Sequence, residues 1–202
     1  MSLQLTKNIW AVGRNYAAHA AEMNAPVPKT PMIFLKSGSC LNPNSIIHLP
    51  AWSSEIHHEL EIAFLLDERL EFSHISLALD LTARDAQEAA KKSGQPWTLA
   101  KSFTGACPVG SWLSILDIPD LAALEFKLYK NKTLTQHGKA QSMVFKPEQL
   151  LQFVKTHFPV TSHDMILTGT PEGVGPLKSG DLITAELLFE TQILLACHWD
   201  VI

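Results

Sequence analysis

The stretch from Ile56 to Leu66 constrains the fold most, because it reads as a β-strand that starts acidic and ends wholly apolar. Period-two alternation places Glu59 and Glu61 on one face, in the same row as His57, and the intervening apolar side chains on the other. Two carboxylates at neighbouring same-face positions repel each other, and the apolar run that follows takes water away from them. A bound cation would relieve this repulsion. The alternative is a solvated strand end with ordinary surface glutamates.

The composition predicts a globular protein with one domain, or one domain and an appended arm. The chain has 202 residues, of which 46% are hydrophobic and 18% charged, so it can bury a sizeable core. A net charge of −4 and the lack of any lysine or arginine cluster argue against a nucleic-acid partner. The first seven residues lack the features of a signal peptide, and no apolar run reaches the ~20 residues that span a bilayer. We therefore expect a cytosolic protein without membrane association.

The cysteines give no sign of a zinc or redox site. Cys40, Cys107 and Cys197 lie far apart, are odd in number and include no Cys-x-x-Cys pair. Reduced thiols are the simplest interpretation.

A short helix near the N-terminus carries a possible acid/base pair. Asn15 is suited to cap a helix that continues through Met23. Spacing by three residues puts His19 and Glu22 on one face of that helix. The pattern fits general acid/base chemistry, and it fits an exposed ion pair equally well.

A second predicted helix follows a predicted strand at Ile75–Leu79, which has Asp80 at its end. Thr82 and Asp85 have the spacing of a capping box, which predicts a helix from residue 83 to residue 93 that stops at Gly94. Arg84 and Gln87 share a face in its first turn, where a cation opposes the helix dipole. A nearby anion explains an arginine there better than solvent does.

Two further stretches leave their roles open. Lys101 is the one charge between residues 97 and 110, so its ammonium either extends to solvent or is held in a site. The glycine-rich loop at 169–176 follows a strand but lacks the Lys-Ser/Thr ending of a phosphate loop. Its amides and threonine hydroxyls are suited to hold a carboxylate.

Other patterns predict ordinary elements. They indicate a strand at Pro31–Lys36, a hairpin that turns at Asn131–Lys132, and a helix at Gln149–His157 with an apolar stripe.

Six segments in order over nearly the whole chain resemble the fumarylacetoacetate hydrolase family, in particular its small acylpyruvase-like members. The resemblance implies an α+β fold with a mixed, mostly β core and a few short helices, one catalytic domain over residues 1–202, and a homodimer. The matching segments are Val12–Met23, Phe34–Lys36, His57–Glu61, Leu79–Asp85, Trp97–Phe103 and Thr168–Pro176.

The resemblance also implies a metal-dependent enzyme that acts on carbon–carbon bonds next to a 2-oxo acid. An all-oxygen ligand set suits Mg²⁺ or Mn²⁺. The matching positions are Glu59, Glu61 and Asp80 for the metal, His19 and Glu22 for an acid/base dyad on a lid-like helix, Lys101 for a lysine that faces the metal, and Arg84, Gln87 and Thr170 for contacts to the substrate's carboxylate and oxo groups.

The reaction implied first is hydrolysis of acylpyruvates to pyruvate and a carboxylic acid. Decarboxylation of oxaloacetate and isomerisation of a 2-oxo dioic acid are alternatives, because all three pass through a metal-chelated pyruvate enolate. Only the eighteen residues from Ile62 to Leu79 separate Glu61 from Asp80, fewer than is usual in the family. If this shortening displaced Asp80, a non-catalytic binding protein would be the remaining alternative.

Overall fold

The structure, a computed structural model, describes residues 6–22 and 26–202. Short strands dominate it, with four short α-helices, so the predicted mostly β, α+β fold is confirmed. The strands are β1 (Asn8–Gly13), β2 (Met32–Ser37), β3 (Leu41–Asn42), β4 (Ile46–Ile47), β5 (Ile56–His58), β6 (Leu60–Leu66), β7 (Phe72–Leu79), β8 (Thr82–Ala83), β9 (Cys107–Pro108), β10 (Leu113–Ser114), β11 (Leu124–Lys130), β12 (Thr133–Lys139), β13 (Met165–Leu167), β14 (Gly175–Pro176), β15 (Leu182–Phe189) and β16 (Gln192–Val201). The helices are α1 (Ala17–Glu22), α2 (Arg84–Ser93), α3 (Thr98–Lys101) and α4 (Pro147–His157).

Two sheets enclose the main core. A six-stranded sheet has the order β10-β7-β6-β13-β1-β2, and a five-stranded sheet has the order β12-β11-β15-β16-β4. Alternate side chains of both, such as Ile62, Phe126 and Leu187, meet in one buried apolar cluster. Helix α4 covers the other face of the six-stranded sheet with Leu150 and Val154, as its apolar stripe predicts.

The acidic strand is interrupted, contrary to the prediction of one continuous strand. Strand β5 ends at His58 and pairs with β14 and β8, whereas β6 begins at Leu60 in the six-stranded sheet. At the break the Glu59 carbonyl accepts a bond from the Asp80 amide at 2.8 Å, and the Leu60 amide donates to the Gln136 side chain at 3.0 Å. Because these partners satisfy the backbone, the chain can change sheets at Glu59.

Neither predicted helix cap forms. Asn15 is buried, and its amide group donates to the carbonyls of Phe145 and Thr168 at 2.9 and 2.8 Å, so it ties the start of α1 to two other segments. Thr82 lies in β8, and Asp85 instead accepts bonds from the loop before β5. In both places a tertiary hydrogen bond replaces the local cap.

Other local predictions are confirmed. Helix α2 ends at Gly94, whose φ of +66° lies in the left-handed region. The β11–β12 hairpin turns at Asn131 and Lys132, both with positive φ. Two short stretches lie outside the described residues. They are residues 1–5, on which the prediction about a signal peptide depends, and residues 23–25, at the predicted end of the first helix. Across the described ranges, no helix is long and apolar enough to cross a membrane.

Candidate active site

Three carboxylates meet where β6 and β7 lie side by side. Glu59 precedes β6, Glu61 is its second residue, and Asp80 directly follows β7. One oxygen atom from each carboxylate lies within 4.8 Å of the others, and all three side chains are buried. The eighteen residues between Glu61 and Asp80 form a plain antiparallel hairpin that returns Asp80 to Glu59. Asp80 is therefore not displaced, which removes the premise of the non-catalytic alternative.

Two cations predicted from the sequence bind this triad. Lys101 Nζ lies 2.8 Å from a Glu59 oxygen and 2.5 Å from an Asp80 oxygen. Its side chain is buried, so it is held in the site and does not extend to solvent. Arg84 Nη2 lies 2.5 Å from the other Glu59 oxygen, and its Nη1 donates to Gln87 at 2.9 Å. Glu59 is thus the anion that the helix-dipole argument required near Arg84.

Lys36 is a third cation of the site, and sequence reasoning assigned it no role. It is fully buried in β2, and its Nζ lies 2.6 Å from the second oxygen of Asp80. Burial opposes its charged form, but Asp80 and two nearby thiols outweigh burial and raise the pKa of the Lys36 ammonium. The sequence did contain a sign of this role. Lys36 is a charged residue at the end of an apolar strand, and a lysine in that position is rarely buried without a partner.

The two glutamates have opposite electrostatic surroundings. Burial alone would raise the pKa of the Glu59 carboxyl, but Lys101 and Arg84 outweigh it and hold that pKa far below its usual range. Burial raises the pKa of Glu61 well above its usual range, and the charges of Asp80 and Glu59 raise it further. No ion pair reaches Glu61 within the described ranges; its carboxylate accepts a bond from the Gly169 amide at 2.6 Å.

The glycine-rich loop therefore binds a carboxylate of the protein itself. Gly169 has a φ of +89°, and a Cβ there would lie 2.7 Å from the Cβ of Asn15. A glycine is required for this close approach, which places the Gly169 amide against Glu61.

The predicted dyad is formed on α1. His19 Nδ1 lies 3.2 Å from a Glu22 oxygen, and the other Glu22 oxygen accepts a bond from the Gly173 amide at 3.3 Å. His19 is buried, whereas the Glu22 side chain is 37% exposed. The pair is thus partly enclosed.

A cavity brings most of the predicted residues together. Asp80 lies beneath its floor, and the Thr170 hydroxyl on its wall donates to the Leu60 carbonyl at 2.8 Å. Seven predicted site residues line the cavity, namely His19, Glu59, Glu61, Arg84, Gln87, Lys101 and Thr170.

Gln136, buried in the five-stranded sheet, supports the wall of the cavity and contacts the buried His58. The Gln136 amide group donates to the Thr170 hydroxyl at 2.7 Å, and its oxygen lies 3.0 Å from His58 Nδ1. Burial lowers the pKa of His58 to about 4. Sequence reasoning missed Gln136 because a glutamine in an otherwise exposed strand carries no distinguishing pattern.

The residues present fit a divalent metal ion. Three carboxylates in a buried group supply hard oxygen ligands, and a cation would oppose the effects of burial and of the Asp80 and Glu59 charges that raise the pKa of Glu61. The arrangement can hold a cation at the floor, bind an anionic substrate through Arg84 and Gln87, and move a proton through His19.

The sequence is similar to that of known proteins over most of its length. Residues 8–195 match the sequence model of the fumarylacetoacetate (FAA) hydrolase C-terminal family. The chain is 44% identical over 190 residues to the mitochondrial oxaloacetate tautomerase FAHD1 of Mus musculus, covering 89% of this chain and 86% of that protein. It is 37% identical over 189 residues to the mitochondrial oxaloacetate decarboxylase of Dictyostelium discoideum, covering 88% and 87%.

A solved structure shares the fold. A protein from Oleispira antarctica of the fumarylacetoacetate isomerase/hydrolase type superposes with a TM-score of 0.93 at 39% identity, over 98% of this chain and 94% of that chain.

The same comparisons correct one prediction. The mouse and Dictyostelium relatives are mitochondrial, which contradicts the cytosolic location predicted from the sequence. The first residues of this sequence therefore do not establish the location of the protein in the cell.

Proposed function

The chain belongs to the fumarylacetoacetate hydrolase family, and from that premise we propose that it is a metal-dependent oxaloacetate tautomerase, which interconverts the enol and keto forms of its substrate. The observation that carries the proposal is the buried acidic triad at the floor of a cavity lined by His19, Arg84 and Lys101. The mouse and Dictyostelium relatives act on oxaloacetate by name. Oxaloacetate chemistry therefore takes precedence over the acylpyruvate hydrolysis predicted from the sequence.

We assign one divalent cation, Mg²⁺ or Mn²⁺, to Glu59, Glu61 and Asp80. When bound, this cation supplies Lewis-acid stabilisation of the negative charge on an enolate oxygen. Arg84 and Gln87, already hydrogen-bonded to each other at 2.9 Å, hold the carboxylate and oxo end of the substrate. The ammonium of Lys101 adds positive charge beside the same oxygen.

Proton transfer is the work of His19. Tautomerisation moves one proton between C3 and the C2 oxygen of oxaloacetate and breaks no carbon–carbon bond. A ring nitrogen of His19 carries this proton, while a Glu22 oxygen 3.2 Å from Nδ1 orients the ring. Because His19 lines the same cavity as Arg84 and Lys101, acid/base and charge-stabilising groups meet the substrate together.

Decarboxylation of oxaloacetate is the second candidate, and the Dictyostelium relative favours it. In that reaction the C3–C4 bond breaks, CO₂ leaves from C4, and the electron pair passes to the C2 oxygen as an enolate that takes a proton at C3. The same charge-stabilising groups serve both reactions, so only the products distinguish them.

The test follows three products with the Mg²⁺- or Mn²⁺-loaded protein. Loss of enol oxaloacetate is read by ultraviolet absorbance, pyruvate by coupled reduction, and acetylpyruvate cleavage in a parallel assay. We expect accelerated enol loss with little pyruvate, and its abolition in Glu61→Gln but not in the matched exposed variant Glu88→Gln. Pyruvate formed as fast as enol is lost would establish the decarboxylase, and cleavage of acetylpyruvate alone would establish the hydrolase. No metal-dependent turnover of either substrate would overturn the proposal.

A further inference from the structure

Two cations on the cavity wall have no partner in the site described above. Arg14 and Lys91 line the same cavity as Arg84 and Lys101. Lys36, Lys101 and Arg84 each bind a carboxylate of the floor, but Arg14 and Lys91 form no ion pair in the part of the chain that the structure describes. The Lys91 ammonium lies instead 5.5 Å from the centre of the Trp97 ring.

Arg14 is held on the wall by an unusual backbone conformation. Its φ of 60° lies in the left-handed region, which costs a residue with a Cβ about 1 kcal/mol or more. The next residue, Asn15, is anchored by its side-chain bonds to Phe145 and Thr168. Because neighbouring bonds enforce the turn from β1 into α1, the position of Arg14 on the cavity wall is fixed by the fold.

The charges of the cavity show that Arg14 and Lys91 lack an anionic partner. On the floor, Lys36, Lys101 and Arg84 are each bound by the carboxylate of Glu59 or Asp80. Arg14 and Lys91, which we call the rim of the cavity, are bound by no carboxylate of the described residues. Burial and the nearby charges of Arg84, Arg14 and Lys101 lower the pKa of Lys91, as expected for a cation in a positive field. An anion at the rim would relieve this field.

We propose that Arg14 and Lys91 bind the second carboxylate of a 2-oxo dicarboxylate and so make the site selective for dianionic over monoanionic 2-oxo acids. This inference rests on the proposed function, which it deepens. The carboxylate next to the oxo group faces Arg84 and the floor, and the distal carboxylate faces the rim. An acylpyruvate, which ends in an uncharged acyl group, leaves both rim cations without a partner.

The test compares two ligands of the same shape, oxaloacetate and its 4-amide, 2-oxosuccinamate. Binding is measured by the ligand-induced rise in Tm of the Mg²⁺-loaded protein, and turnover of each ligand by enol loss. We expect the wild type to prefer the dianion, and Arg14→Gln and Lys91→Gln each to weaken oxaloacetate binding about 3- to 10-fold with little effect on the amide. Lys91→Glu should reverse the preference.

The control is Lys92→Gln, because Lys92 is adjacent in sequence, pairs with Glu88 on the exposed face of α2 and does not line the cavity. It should behave as wild type. Equal weakening of both ligands, or no change in either variant, would overturn the inference. If the protein prefers the dianion but turns over neither ligand, only the tautomerase proposal is overturned. If it turns over oxaloacetate but shows no preference for the dianion, only the proposed selectivity of the rim is overturned.

Discussion

The floor and the rim of the cavity are built in opposite ways. The floor consists of buried carboxylates and lysines that bind each other and are fixed by paired strands. The rim consists of two cations without an ion-pair partner among the described residues, and near it Glu22, 37% exposed on a helix of six residues, holds the cavity-lining His19. In the floor, a charged group therefore stabilises the fold as well as the site, whereas rim groups can act on a substrate while contributing little to stability. Substitutions in or under the floor should therefore lower stability, whereas a substitution near the rim should lower turnover and leave stability nearly unchanged.

Asp80→Ala should have the largest effect. The substitution leaves Lys36 buried without its carboxylate partner and removes one of the two carboxylates that bind Lys101. Loss of one member of a buried ion pair costs about 3–5 kcal/mol, so we expect a decrease of that size in the unfolding free energy by urea denaturation. Asp117→Ala, at an exposed site, should change it by less than ~0.5 kcal/mol. A loss below ~1 kcal/mol for Asp80→Ala would contradict the account of the floor.

His58 should make stability depend on pH. Its pKa falls from 6.5 to about 4 on folding, so between these values the unfolded chain binds a proton that the folded chain does not. Its contribution is complete above pH 6.5, declines as the pH falls, and is lost below pH 4. The difference amounts to about 3 kcal/mol.

The check is the unfolding free energy measured at several pH values for wild type and His58→Gln. The variant should lose less stability than the wild type between pH 6.5 and 4. Parallel curves for the two proteins would show that His58 does not stay neutral when folded.

Lys36→Met should have a smaller effect than Asp80→Ala. Methionine fills a similar volume with an apolar chain, and Asp80 keeps its bond to Lys101. We expect a loss of about 2 kcal/mol. Calorimetric metal titration should show weaker binding, because Asp80 loses the group that orients it, and Lys178→Met at an exposed site serves as the control. An unchanged metal affinity would mean that Lys36 acts on stability alone.

Glu22→Gln should have the smallest effect on stability. It tests whether a group near the rim can act on turnover while it contributes little to stability. Its ion pair with His19 is partly exposed, so the unfolding free energy should change by less than ~0.5 kcal/mol. Enol turnover should nevertheless fall about 10- to 100-fold, because His19 loses the carboxylate that orients it. Equal turnover in variant and wild type would remove Glu22 from the proposed chemistry.

Sequence patterns predicted well what depends on local chemistry. The strand predicted at residues 75–79 located the end of β7 and therefore Asp80, and the opposition of Arg84 to the helix dipole predicted an anion near Arg84. The wider assignment of nine site residues came from the family resemblance. The structure brings those residues together, while their catalytic roles and the homodimer stay predictions.

The failures share one physical cause. Asn15 and Asp85 have the right residue types and positions for helix caps, yet each bonds to a partner far away in the chain. Lys36 and Gln136 act through residues more than thirty positions away in the chain. Local propensity cannot reveal such partners, because they depend on which strands become neighbours.

The hydrogen bonds of the floor bear on the order in which this protein folds and takes up a metal ion. Because Lys36, Lys101 and Arg84 bind Glu59 and Asp80, and the Gly169 amide binds Glu61, the chain needs no ion to bring its acidic residues together. Domains whose ligands gather only around a metal remain unfolded without it. Here folding can finish first and loading can follow, so the supply of ion in a compartment would regulate the activity of the protein and not its survival.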